Sequence, residues 1–365
     1  KNKEGIIASY KHDPSNPQSI HDDMIVSLFK DRNGSLWVAH GNTGITKLNT
    51  RQKNFIHYQH HPDKPNSLPG NIIRSLMVDS KSRIWVGTRN SGTSVLNRNT
   101  GQFRRFGTGK GNNTGMYDNR TTCFYEDAEG NVYMGSWGSG IRVARDGNMN
   151  SLVSGPTFKE KNTLRDSIVQ AIYKDKEGIL WIGLEAGLDL YNPVTHQYRP
   201  IVHDPENNNS IAPLGVQSNC IVEDVHGNFW IGTWGGLTMM KPVNREKSTF
   251  TTEYNYIRLT KKLSDSRVIA LHYDPKRPET IFAGTYGGGL NKIRIDFDSP
   301  DSSYVTTYTK ADGLCNNVIY GILSDASGHL WLSTNNGLSR FDVGKETFTT
   351  FDANDGLQSS QFRWG

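Results

Sequence analysis

The chain of 365 residues is poor in cysteine: Cys123, Cys220 and Cys315 are its three, widely spaced and without a CxxC pair. Neither a disulfide framework nor a zinc site is expected, and all three read as free, mostly buried thiols. No stretch of 18 apolar residues occurs, so no segment is expected to span a membrane. Runs of five like charges are also missing, and Lys plus Arg less Asp plus Glu is 41 − 36 = +5. That mild basicity leaves anionic partners open and gives little support for nucleic acid. No window carries a helical 3.6-residue period, so almost no helix is expected. Local catalytic motifs are lacking too: there is no G-x-S-x-G, no H-E-x-x-H and no G-x-x-x-x-G-K. No locally paired carboxylates suit glycosidase chemistry. No cofactor and no metal are expected. Lys1 opens the chain without a signal peptide, which suggests a longer precursor and leaves the compartment open.

What is present is a repeat. An acidic turn, a hydrophobic strand and a glycine-rich turn recur seven times, led by Asp31, Asp79, Asp127, Asp175, Asp224, Asp274 and Asp325. The leading aspartates are 48, 48, 48, 49, 50 and 51 residues apart. A period in that range with short strands and Gly turns predicts propeller blades. In the second copy, Ile72–Val78 and Arg83–Thr88 read as strands joined by Asp-x-x-Gly or its Ser82 variant. Asp at the first position of a type I turn bonds the turn backbone, and Gly closes it. Strands such as Leu188–Tyr191 and Gln52–Tyr58 supply the third and fourth of each blade. The fold class is therefore all-β: a seven-bladed propeller of four-stranded antiparallel blades, with eight blades or a fragment straddling two adjacent propellers as alternatives.

Several columns of the repeat read as architecture. Trp37, Trp85, Trp181, Trp230 and Trp331 share one position, which Tyr133 and Phe282 complete as inter-blade packing. Four residues before each Asp sits a small residue: Ser27, Ser75, Cys123, Ala171, Cys220, Ala270 or Gly321. Crowding of the innermost strands explains that choice. The loops His12–Ser19, His60–Ser67 and His203–Ser210 keep His seven residues before Ser, and they read as surface loops rather than metal sites.

One column disagrees from copy to copy. The residue after the Gly-Thr pair is Gly41, Arg89, Trp137, Glu185, Trp234, Tyr286 or Asn335. It lies in the turn between second and third strands, on the face opposite the Asp-x-x-Gly turns. Arg120 and Arg267, which open two inner strands, should reach the same face. Aromatic plates, cations and a carboxylate together suit a sugar or acidic sugar, so Arg89, Trp137, Glu185, Trp234, Tyr286, Asn335, Arg120 and Arg267 form the candidate ligand site.

The unit D-x-x-G-x-L-W-[IV]-G-T-x-x-G-L resembles the two-component regulator propeller repeat, and nearly the whole chain fits it. It is unlike WD40 and kelch repeats, and its Asp-x-x-Gly spacing departs from the sialidase Asp-box. Ile6–Tyr10 resembles a fourth strand of a preceding blade, and Asp355–Phe362 resembles the lead-in at Asp312–Val318. The expected organisation is 1–22 as a leading strand and loop, 23–351 as seven repeats, and 352–365 as a following or closing strand. The resemblance implies a periplasmic, non-enzymatic sensor region of a hybrid two-component receptor. It also implies an oligosaccharide from glycan breakdown as ligand, and self-association in the parent receptor. It places a membrane helix, a histidine kinase and a DNA-binding regulator elsewhere in that receptor. A propeller lyase or hydrolase with residues converging from several blades is the alternative of a different class, and a protein-interaction platform is another.

Overall fold

The computed structural model describes residues 11–14, 19–30, 36–48, 55–107, 119–145, 152–154, 164–244 and 247–358. It divides into two compact units, 1–56 and 57–365. The first holds one sheet of three antiparallel strands, β1 (Ile25–Lys30), β2 (Leu36–His40) and β3 (Ile45–Leu48).

The second unit holds six four-stranded antiparallel sheets, one per remaining repeat. They are β4 (Ile73–Val78) to β7 (Gln102–Phe106) through β5 (Ile84–Thr88) and β6 (Thr93–Asn97); and β8 (Thr121–Glu126), β9 (Val132–Ser136), β10 (Ile141–Ala144) and β11 (Leu152–Ser154). Next come β12 (Val169–Lys174), β13 (Leu180–Leu184), β14 (Gly187–Asn192) and β15 (Gln197–Ile201), then β16 (Val216–Glu223), β17 (Phe229–Thr233), β18 (Gly236–Pro242) and β19 (Tyr254–Arg258). The last two are β20 (Val268–Tyr273), β21 (Thr280–Thr285), β22 (Leu290–Arg294) and β23 (Tyr304–Tyr308), followed by β24 (Ile319–Ser324), β25 (Leu330–Thr334), β26 (Gly337–Asp342) and β27 (Thr347–Phe351). Within this unit β4, β8, β12, β16, β20 and β24 lie side by side in chain order. The fold is the expected all-β propeller with seven blade sheets, and its described helices are single 3-10 turns.

Glycine makes the close approach of neighbouring blades possible. Gly183 pairs with the small Ala171, and a Cβ there would lie 2.8 Å from Val216 Cγ1 and 2.9 Å from Ala171 Cβ. Gly135, Gly232 and Gly284 face Val169, Val268 and Ile319 of the following blade in the same way. The rings fill what remains: Trp181 is fully buried and stacks on Phe229 of the next blade at 3.8 Å.

The Asp turn has a second role beyond the expected one. Asp175 Oδ1 accepts the N–H groups of Glu177 and Ile179, and Asp175 Oδ2 accepts the Trp181 indole N–H at 2.9 Å. Trp85, Trp230 and Trp331 repeat this bond, and Tyr133 makes a longer one of 3.3 Å. Where Phe282 has no donor, Arg277 occupies the Asp274 oxygen at 2.8 Å. The residue closing the turn is left-handed at Gly130, Gly178, Gly227 and Gly328, with φ 85° at Gly178, and Ser82 takes the same conformation at φ 59°.

The His loops pin themselves. His60 Nδ1 meets the Leu68 carbonyl at 2.6 Å and Ser67 Oγ accepts the His61 N–H at 3.0 Å, with the same pair in the other two loops. Cys123 and Cys220 are buried, and burial pushes the Cys123 thiol up to about 12. One strand departs from expectation: Phe55–Tyr58 are not in a strand, and the first sheet has three strands among the described residues. The preceding 51–54, the Ile6–Tyr10 segment, the Asp31 turn with Gly34, and residues 359–362 of the tail lie outside the described residues.

Candidate functional site

The diverse column occupies the turns between second and third strands. Arg89, Glu185 and Asn335 are exposed there, while Trp137, Trp234 and Tyr286 are half-buried. In the second unit the turns at Arg89, Trp137, Glu185 and Tyr286 are tied by their backbone to the residue before an inner strand. The Trp137 N–H donates to the Arg120 carbonyl at 3.1 Å, the Tyr286 N–H to Arg267 at 3.0 Å and the Arg89 N–H to Ile72 at 3.0 Å. Trp137 and Tyr286 also bridge to Ile168 and Val318, which precede the next inner strands. The main chain of Arg120 and Arg267 thus meets these turns, and both residues are exposed.

A second diverse column was not read from the sequence. Inner strands slip register by a residue near their starts, as between Ile73 and Ser75 opposite Thr88 and Gly87. A β-bulge of this kind re-aims one side chain. The bulged residues of the second unit are Arg74, Thr122, Gln170, Ile269 and Tyr320, with a wider irregularity at Gln217–Cys220. They differ from blade to blade, directly before the small column, and that adjacent variation is the signal that would have revealed them.

The two columns meet in two groups. In the first, the Arg74 guanidinium lies over Trp137 at 4.3 Å, and Arg89, Arg120 and Glu185 act on it electrostatically. Burial first, then the like charge of Arg89, presses the Arg74 group below its ordinary value, and Glu185 opposes that shift. Gln170, itself buried, donates to the Glu185 carboxylate. In the second, Trp234 and Tyr286 pack edge to face at 5.2 Å, and Tyr320 adds its ring to Tyr286 at 6.5 Å. Arg267 lies over Tyr286 at 5.1 Å, but Asp265 binds it through Nε at 2.9 Å. That pair holds the Arg267 guanidinium above its usual value and the Asp265 carboxyl below its own. Among the described residues, no contact joins Asn335 to either group. No cluster of His, Cys, Asp and Glu suited to a metal ion occurs among the described residues.

Blades of this form make the chain an all-β propeller. Residues 67–90, 163–186, 213–235 and 313–336 match the two-component regulator propeller family. These stretches contain Arg74 and Arg89, Gln170 and Glu185, Trp234, and Tyr320 and Asn335. The chain is 24% identical over 206 residues to Histidine kinase P4 of Formosa agariphila, covering 55% of this chain and 14% of that protein. It is similar, at 22% identity and a TM-score of 0.72, to the extracellular domain assigned to a hybrid two-component system of B. thetaiotaomicron. That match covers 98% of this chain and 44% of the solved one. Virginiamycin B lyase of Staphylococcus aureus shares the fold at 11% identity and a TM-score of 0.58, over 84% of this chain and 90% of the lyase. The chain thus spans less than half the length of its two-component relatives.

Proposed function

We propose that this chain is the extracytoplasmic ligand-sensing propeller of a hybrid two-component receptor, and that the face bearing the two diverse columns binds an oligosaccharide released by glycan breakdown. The observation that carries the reading is the pair of aromatic and guanidinium groups on the blade ends, half-buried Trp137 under Arg74 and half-buried Tyr286, packed on Trp234, under Arg267. Aromatic faces with a few convergent polar groups are the usual furnishing of a ligand site. The repeats and the relatives support the receptor context. The periplasm is the compartment this reading implies, and the membrane span, kinase and regulator belong to other parts of the receptor. Signalling by self-association requires the ligand to favour one receptor arrangement over another.

An array of oligosaccharides identifies the ligand, and calorimetry with the Trp137→Ala/Trp234→Ala double variant tests the site. Loss of about tenfold or more in affinity is expected if both rings hold sugar. Unchanged affinity removes them from the site. The reading is non-enzymatic, and product release from a polysaccharide panel by the purified chain would overturn it in favour of a lyase or hydrolase.

A further inference from the structure

We infer that Gln217 is a ligand-binding residue of this face, its buried carboxamide oxygen accepting a hydroxyl group of the saccharide. This rests on the oligosaccharide reading above and adds to it one hydrogen-bond donor that the ligand must carry. Gln217 is fully buried in the widened start of β16. Its Nε2 donates to the Gly215 carbonyl at 3.0 Å, while its Oε1, also buried, meets no donor among the described residues. The Gly215 bond sets which way the amide points, because turning it over would place two oxygens against each other. Gln170 holds the same place after Val169 that Gln217 holds after Val216, and its amide is used on the Glu185 carboxylate. A buried acceptor without a donor destabilises a fold, so its retention calls for a partner that arrives from outside.

The surrounding backbone departs from the other blades at the same point. Residues 217–220 lie between the paired Val216 and Ile221, where β4, β8, β12, β20 and β24 each have one extra residue. Leu214 and Asn219, on either side of Gln217, are left-handed with φ 70° and 56°. The other non-glycine residues of that conformation among those described, Ser82, His196 and Glu346, close turns. A leucine there is strained, and strain of this kind is kept where a site needs the shape it gives. The strained segment also lies between two turns of the diverse column. A Cβ on Gly215 would stand 2.7 Å from the Glu185 carbonyl oxygen, and one on Gly235, next to Trp234, would stand 2.5 Å from Pro213 Cγ. Ser218 is half-buried and Asn219 exposed, so the extra residues lead from the buried amide out to solvent. Their displacement opens Oε1 to a hydroxyl group of a saccharide lying across the Glu185 and Trp234 turns.

The probes are oligosaccharides of cellulose, xylan, mannan, galactan and polygalacturonate, titrated by calorimetry into the intact native chain and into Gln217→Met, which keeps an unbranched side chain and removes the acceptor. Each probe that binds is measured again as its monodeoxy analogues. The inference expects one deoxy position to cost the native chain about tenfold or more in affinity. Gln217→Met should bind the parent sugar that much more weakly and no longer distinguish it from that analogue. Deoxy losses that are the same on Gln217→Met as on the native chain overturn the contact and leave the oligosaccharide reading standing. Urea unfolding without ligand gives a second readout, in which the Gln217→Met midpoint should be unchanged or raised, since an acceptor lacking a donor has been removed. A lowered midpoint, or a variant that does not fold, shows that Oε1 is already satisfied in the free chain and overturns the inference alone. Failure of every probe to bind the folded native chain overturns the inference and the oligosaccharide reading together.

Discussion

Trp85 donates its indole N–H to Asp79 Oδ2 at 2.8 Å, while Asp79 Oδ1 accepts the N–H groups of Lys81 and Arg83. One buried carboxylate thus joins the turn that begins the second strand to the ring that packs between blades. The six-residue separation of Asp and Trp in the repeat follows from that bond, and the Asp274–Arg277 substitute shows what the chain does when the indole is lost.

The same motif carries opposite charge linkage in two blades. Burial works against the charge of Asp79, but the bonds from Trp85 and Arg83 outweigh it, and the carboxyl lies below its ordinary value. At Asp175 burial wins, because Ile179 stands where Arg83 stands and Glu177 adds like charge, so its value is raised. Asp79 therefore contributes stability that is full above its ordinary value and lost as pH falls through the depressed folded value. Charging Asp175 has the reverse sign and costs stability as pH rises through its folded value. Asp79→Asn should lower the unfolding free energy at neutral pH by about 3 kcal/mol and Asp175→Asn by about 1 kcal/mol. Urea midpoints between about pH 3 and 7 measure both, and equal losses at neutral pH would sink the distinction.

Gly183 is fixed by space rather than by backbone conformation. A methyl group there meets both its paired strand and Val216 of the next blade below 3.0 Å. Gly183→Ala should cost about 2 kcal/mol through overpacking. A thermal midpoint unchanged from the native chain would show that neighbouring blades separate more easily than this packing implies.

Ser82 holds the left-handed position that glycine fills in the equivalent turns at Gly130, Gly178, Gly227 and Gly328. Its side chain is exposed, so little is lost by removing it. Ser82→Gly should raise stability by about 0.5–1 kcal/mol, read as an upward shift in the urea midpoint. A downward shift would mean that the serine makes a compensating contact.

The architecture was legible because it repeats: the period, the Asp turn, the Trp position and the small column are each visible by alignment of the copies. Two things were not. Asp79 and Trp85 each had a sufficient local explanation, so nothing in the sequence forced them into one hydrogen bond. Arg74 lies inside a strand, where alternation decides which face a side chain takes, and a one-residue bulge changes that alternation. Phe55–Tyr58, expected in a fourth strand, are not in one. His57 Nε2 meets the carbonyl of Gly356 at 2.7 Å, a partner 299 residues away that no local pattern announces.

Arg74 and Trp137 offer a test of the face that needs no ligand. The guanidinium over the indole at 4.3 Å is half-buried, so its attraction to the ring is less screened than at a free surface. Removing either partner forfeits the same interaction, and removing Arg74 also relieves its repulsion with Arg89 and Arg120. Arg74→Ala should therefore be milder than Trp137→Ala, and the double variant should show a coupling of about 0.5–1 kcal/mol. Urea unfolding of the four proteins supplies the cycle. Strict additivity would mean that the ring and the guanidinium sit together without interacting, and that Arg74 is held by its strand alone.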